Sequence, residues 1–233
     1  MSTGESASRR PADFYAQNRG GGLATLQNQR PAAFLAWLAW KARLKPTHLT
    51  LLSLLIGLGA AVLVIARLPA AAEGAPLWPA GIAAFLLWQL AYTLDCSDGQ
   101  LARVTGTGSA AGARVDILAD IAVQTGVVAA ISAVAHAYAD FPVWVSAAFS
   151  ALWMTNLVTA VMAKEDANQS LVSSESLVVR LVKLVRDYSF ILVVVGASLV
   201  FWPAGMVWVL AGFGLVNGLF LAASIAAAAR AAL

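Results

Sequence analysis

The chain has 233 residues, of which 60% are hydrophobic and only 12% are charged, against about 25% charged in soluble domains. One small soluble core cannot hide that much apolar material, so a soluble globular protein is excluded. Cys96 is the only cysteine, which excludes a disulfide framework and a cysteine-rich zinc site. The net charge of +3 carries meaning only by position, and no nucleic-acid partner is expected.

In chain order, residues 1–30 read as a flexible polar tail, with Gly20, Gly21 and Gly22 breaking any helix. The tail lacks the apolar core and cleavage site of a signal peptide. From Pro31 to Arg43, Phe34, Leu35, Trp37, Leu38 and Trp40 lie among alanines, with Lys41 and Arg43 at the end. This stretch is too short to span. Tryptophans beside basic residues suit an amphipathic helix lying in the headgroup layer.

Apolar runs long enough to approach the roughly 20 residues of a membrane-crossing helix come next. They cover about His48 to Ile65, Leu77 to Leu94, Ala111 to His136, Val143 to Met162, Tyr188 to Phe201 and Met206 to Ala228. The second continues helically through Asp95–Arg103, and Gly106, Thr107 and Gly108 form a turn before the third. The expected fold is all-α: a polytopic membrane bundle of about six transmembrane helices, preceded by the interfacial amphipathic helix. Residues 31–233 form the membrane domain. With the N-terminus inside, every one of the 15 Lys and Arg residues except Arg67 falls on the inner side. Basic residues collect on the cytoplasmic face, so both termini are expected there. The alanine-rich sequence without organelle signals suggests a bacterial plasma (inner) membrane.

Residues 95–120 read DCSDGQLARVTGTGSAAGARVDILAD. Asp95 and Asp98 share one helix face, as do Asp116 and Asp120. The tight turn makes the two helices antiparallel neighbours, so the four carboxylates can converge. Ala102 and Gly112 fall on the same stripes and permit close approach. Four clustered carboxylates are costly to ionise together, and a divalent cation removes that cost. An oxygen-only donor set favours Mg²⁺ or Mn²⁺. Arg103, one turn beyond Gly99, adds a positive charge for a phosphate oxygen. The arrangement describes a diphosphate site at the membrane boundary. Structural pairing with arginines is the plainer account of such aspartates, but too few cations lie near to pair all four. A cation transporter would carry its carboxylates near the bilayer midplane on broken helices. The central stretches of the first, fourth, fifth and sixth spans hold no charge.

The residues Asp95, Asp98, Gly99, Ala102, Arg103, Gly112, Asp116 and Asp120 fill every fixed position of D-x2-D-G-x2-A-R-x8-G-x3-D-x3-D. In this the chain resembles the CDP-alcohol phosphatidyltransferase family, and Pro46-Thr47-His48-Leu49-Thr50 is similar to that family's lead into the first span. The resemblance covers most of residues 31–230. It implies a phosphotransferase in which Asp95, Asp98, Asp116 and Asp120 hold a binuclear Mg²⁺ or Mn²⁺ site. It further implies Asp120 as the general base. Gly99, Ala102, Arg103 and Gly112, with Pro46, Thr47 and Thr50, are implied on the CDP and phosphate side. A CDP-alcohol donor, an alcohol acceptor, membrane lipids and a second copy in a homodimer are the implied partners. CDP-diacylglycerol with a polyol phosphate is the favoured pair, and a soluble CDP-alcohol donor with a lipid or polyol-phosphate acceptor stays open.

Arg180, Lys183 and Arg186 recur at three-residue spacing as a basic stripe. They read either as contacts to anionic headgroups or, with Arg114, as a site for a phosphorylated acceptor; Asp187 could orient an arginine there. Cys96 reads as a packing residue, and His48 and His136 as solvated interfacial groups. Asn156, Thr159 and Asn217 read as hydrogen-bond formers between helices.

Overall fold

The computed structural model describes residues 9–19, 26–165, 184–185 and 187–232. Among the described residues every element is helical. They are α1 (Pro11–Tyr15), α2 (Gln29–Lys41), α3 (Pro46–Ala72), α4 (Trp78–Thr105), α5 (Ala110–Tyr138), α6 (Val143–Glu165) and α7 (Tyr188–Phe201). A 3-10 turn (Pro203–Gly205) and α8 (Met206–Ala232) complete the order. The basic stripe at Arg180, Lys183 and Arg186 lies outside the described residues.

Each of the six apolar runs coincides with one of α3 to α8. Three segments are both long and apolar enough to cross a membrane: Pro46–Ala72, Ala110–Tyr138 and Pro203–Ala226. Val143–Thr159 and Tyr188–Phe201 are apolar but shorter. At 1.5 Å per residue the latter reaches only about 21 Å, against roughly 30 Å of hydrocarbon. Helix α4 has 28 residues, but Gln89, Tyr92, Thr93 and its two aspartates make its second half polar. Large apolar side chains point outward, with Leu55 69%, Leu215 64% and Phe201 84% exposed. Apolar surface on that scale is a liability in water and is the expected covering of a helix in lipid. The chain is a helical membrane protein.

Two compact units form, Met1–Ala60 with Leu86–Gly126 and Ala61–Phe85 with Val127–Leu233. In the first, α2 buries an all-alanine face, Ala32, Ala33, Ala36 and Ala39, and leaves Phe34 and Leu38 exposed. This is the amphipathic helix read from the sequence. A buried polar lattice fixes it to α4. Asn28 Nδ2 donates to Gln89 Oε1 at 3.1 Å and Thr93 Oγ1 at 3.0 Å. Gln100 Nε2 donates to Gln29 Oε1 at 2.8 Å, and Gln29 Nε2 reaches Cys96 Sγ at 3.2 Å. Cys96 thus takes part in packing, as expected. Helix α3 meets α4 through Ser53 Oγ to the Ala91 carbonyl at 2.8 Å and Trp88 Nε1 to the Gly57 carbonyl at 3.1 Å. A Cβ on Gly57 would stand 2.7 Å from Val123 Cγ1, so α3 and α5 touch at a point where only glycine fits.

The expected tail differs from the structure over residues 9–19. Pro11 opens the short helix α1, and Asp13 Oδ2 accepts the Arg10 backbone N–H at 2.7 Å. Phe14 is fully buried in a cluster with Ala33, Ala36, Ala39, Leu49, Leu94 and Leu101. Trp37 Nε1 donates to the Arg9 carbonyl at 2.9 Å. A five-residue helix carries too little periodicity to be read from sequence, and one phenylalanine does not mark a packed segment.

In the second unit, α6 and α8 share an aromatic cluster, with Trp153 stacked on Phe213 at 4.5 Å and Phe149 edge-on to both. Gly196 lies under the Phe85 ring, where a Cβ would come within 2.4 Å. Of the polar groups here only Asn217 departs from its sequence reading; His136 is exposed, as read. Asp187 caps α7 by accepting the Phe190 N–H at 3.1 Å, the role an N-cap carboxylate fills best. Asn217 Nδ2 bonds within its own helix, to the Phe213 carbonyl at 2.9 Å. His136 pairs with Ser146 Oγ at 2.9 Å and stacks on Phe141.

Candidate functional site

The site lies wholly in the first unit, where the end of α4 turns into the start of α5. Gly106 ends α4 at φ +66, a left-handed conformation that favours glycine. The Thr107 N–H reaches back to the Ala102 carbonyl at 3.1 Å, which closes the helix end. Ser109 then starts α5, its Oγ accepting the Gly112 N–H at 3.0 Å. That is the hydroxyl N-cap geometry. The stop and start signals are adjacent, so two helices bearing paired carboxylates are set side by side.

Asp95, Asp98 and Asp116 come together, each offering a carboxylate oxygen within 4.8 Å of the others. Asp98 is buried, and the equally buried Thr50 of α3 donates its hydroxyl to Asp98 Oδ2. Asp120 lies one turn further along α5, half-buried and outside this group of three, though near enough for its charge to act on Asp98. Three of the four expected ligands thus form one group, with Asp120 close beside it.

A cleft of about 490 Å³ opens beside the triad. All seven residues expected on the phosphate side line it: Pro46, Thr47, Thr50, Gly99, Ala102, Arg103 and Gly112. Asp98 and Asp116 form part of its wall. The N-termini of α3 and α5 both border it, and helix N-termini favour anions. Arg103 folds back over Gly99, where an added Cβ would meet its Nη1 at 3.0 Å. Its Nε donates to the Gln17 carbonyl at 2.9 Å, so the N-terminal segment holds the guanidinium from behind. Arg114 is exposed on the first turns of α5 and is not among the lining residues.

Sequence reasoning missed Lys45, Thr107, Gly108, Ser109 and Ala113, which also line the cleft. Lys45 had a signal, since it directly precedes Pro46 at the helix start. Its backbone N–H donates to His48 Nδ1 at 3.0 Å, so the exposed His48 also caps the helix start.

The carboxylate set contains only hard oxygen donors and fits a divalent cation of the Mg²⁺ type. Beside it stand a guanidinium and two helix N-termini, the means by which proteins hold phosphates. No curated protein matches the sequence. The family model described as CDP-alcohol phosphatidyltransferase matches residues 43–230, a span that contains the triad, the cleft and nearly all of the six long helices. The chain belongs to the CDP-alcohol phosphatidyltransferase family and is a membrane-bound phosphotransferase acting on CDP-alcohols.

Proposed function

We propose that the protein transfers a phosphatidyl group from CDP-diacylglycerol to a polyol phosphate and releases CMP. The observation that carries this reading is the cleft that Asp98, Asp116 and Arg103 line together, with the Asp95 carboxylate grouped against those of Asp98 and Asp116. The donor diphosphate lies along that cleft. Arg103 and the N-termini of α3 and α5 hold its oxygens, and Gly99 and Gly112 keep the walls low enough for backbone approach.

Asp95, Asp98 and Asp116 would hold Mg²⁺ or Mn²⁺, with Asp120 as the further ligand of a two-ion site. A metal held there would supply positive charge to the diphosphate and to the leaving CMP oxygen. Asp120, close beside the triad, accepts the proton of the acceptor hydroxyl. The freed oxygen attacks the β-phosphorus, a new P–O bond forms, the bond to the CMP oxygen breaks and CMP departs with both electrons. Thr50 keeps the Asp98 carboxylate in one orientation through the reaction.

The acceptor's own phosphate is met by Arg114 together with Arg180, Lys183 and Arg186. The exposed Phe34 and Leu38 of α2 lie in the headgroup layer, where a lipid-borne donor enters. The enzyme works as a homodimer in a bacterial inner membrane, with both termini and the cleft on the cytoplasmic side.

CMP release by purified protein tests this, with Mg²⁺ or Mn²⁺ and CDP-diacylglycerol offered against polyols and polyol phosphates. Release that requires one polyol phosphate is the expected result. Release only from a soluble CDP-alcohol would overturn the donor assignment, and release with an unphosphorylated polyol would overturn the acceptor assignment.

A further inference from the structure

A second cleft of the first unit, of about 560 Å³, shares no lining residue with the carboxylate cleft. It is lined by Arg9, Arg10, Trp37, Trp40, Lys41 and Arg43. All but Arg43 precede the residues matched by the family model.

Its lining has four cations and no carboxylate. Asp13, the acid nearest in sequence, uses Oδ2 on the Arg10 backbone N–H. Cations gathered this closely repel one another unless an anion stands between them. The tryptophans hold them in place. Lys41 Nζ sits 3.9 Å from the Trp37 ring centroid, and Arg9 Cζ lies 5.7 Å from that of Trp40. A guanidinium resting on an aromatic face keeps its in-plane N–H donors available for a phosphate.

Arg43 is the independent observation. It adopts φ +58, the left-handed conformation in which helices usually place glycine after their last turn. The Leu44 N–H to Ala39 carbonyl bond at 2.9 Å closes α2 around it. A glycine would adopt this backbone without strain, yet the chain carries a long cationic side chain there and that side chain lines the cleft. Strain held in this way points to a task for the residue.

The location fixes the source of the anion. Phe34 and Leu38, one turn apart on α2, are 49% and 41% exposed. A helix with an exposed apolar face and a cationic end rides at headgroup depth. We propose that this cleft binds the phosphate of an anionic phospholipid headgroup and thereby pins residues 9–19 to α2. Through the Gln17 carbonyl on Arg103, a bound lipid steadies the catalytic cleft.

The test counts lipids retained by the full-length protein in native mass spectrometry, with phosphatidylglycerol and phosphatidylcholine offered together. Wild type is expected to retain phosphatidylglycerol preferentially. An Arg9→Gln, Arg10→Gln double variant should lose about fivefold of that preference per cation removed. Arg43→Gly should lose preference too while its thermal stability holds or rises, an outcome that misfolding cannot imitate. Equal preference in all three proteins overturns the proposal, as does an unchanged preference in Arg43→Gly alone. Displacement of the lipid by equimolar inorganic phosphate would make the cleft a free-phosphate site and overturn the lipid assignment.

Discussion

The Thr50 hydroxyl of α3 donates to Asp98 Oδ2 of α4, and both side chains are buried. This is the link that ties the first long helix to the carboxylate triad. Partners that orient a metal-ligating carboxylate are worth about 10–100-fold in metal affinity. Thr50→Val keeps the shape and removes the donor. The variant is expected to need about tenfold or more Mg²⁺ for half-maximal CMP release, with Thr50→Ser close to wild type. A metal titration of initial rate checks it.

Gly99 is the position over which Arg103 folds. Gly99→Ala places a methyl group 3.0 Å from Nη1, and the flexible guanidinium must move. A small misplacement of a binding group can cost up to about 100-fold. The expected result is a raised KM for the CDP-alcohol with little change in thermal unfolding. Lys at position 103 should not rescue the variant, because an ammonium lacks the planar fork.

Asp116 and Asp120 sit one turn apart on α5, but only Asp116 belongs to the triad. Chelation should abolish CMP release, and Mg²⁺ or Mn²⁺ should restore it. Asp116→Asn is expected to weaken Mn²⁺ binding measured by calorimetry. Asp120→Asn is expected to leave the first binding event intact while lowering turnover by about 10²–10⁴, the usual contribution of a general base. Loss of all metal binding in Asp120→Asn would return Asp120 to a ligand role alone.

Phe14 is fully buried, and its segment carries the Gln17 carbonyl that accepts from Arg103. Phe14→Ala should cost about 3–5 kcal/mol in the stability of that packing and raise the donor KM by freeing the guanidinium. Gln17→Ala should change neither, since the bond uses the backbone. A thermal melt beside a KM measurement distinguishes these outcomes.

Sequence alone made the helices visible because a lipid-facing helix needs a long apolar run, and such runs are unambiguous in α3, α5 and α8. The triad was visible because residues three or four apart share a helix face. Asp120 satisfies the same spacing as Asp116, so spacing could not reveal which three carboxylates approach most closely. The role of Gly57 depends on which helix lies opposite, which no local pattern records. Phe14 was hidden for a different reason: a single apolar anchor in a polar stretch looks the same whether it packs or not.

The joint between α4 and α5 is only four residues long, from Gly106 to Ser109, and both of its ends are closed by hydrogen bonds. Helical phase is therefore transmitted across it without slack. Each residue added inside a helix rotates the remainder of that helix by about 100°. One residue inserted between Ser109 and Asp116 would turn Asp116 by a little over a quarter turn, off the face that meets α4. The chain would keep every carboxylate and lose the site, so in this protein the length of the stretch from Gly106 to Asp116 is as much a functional determinant as the aspartates it aligns.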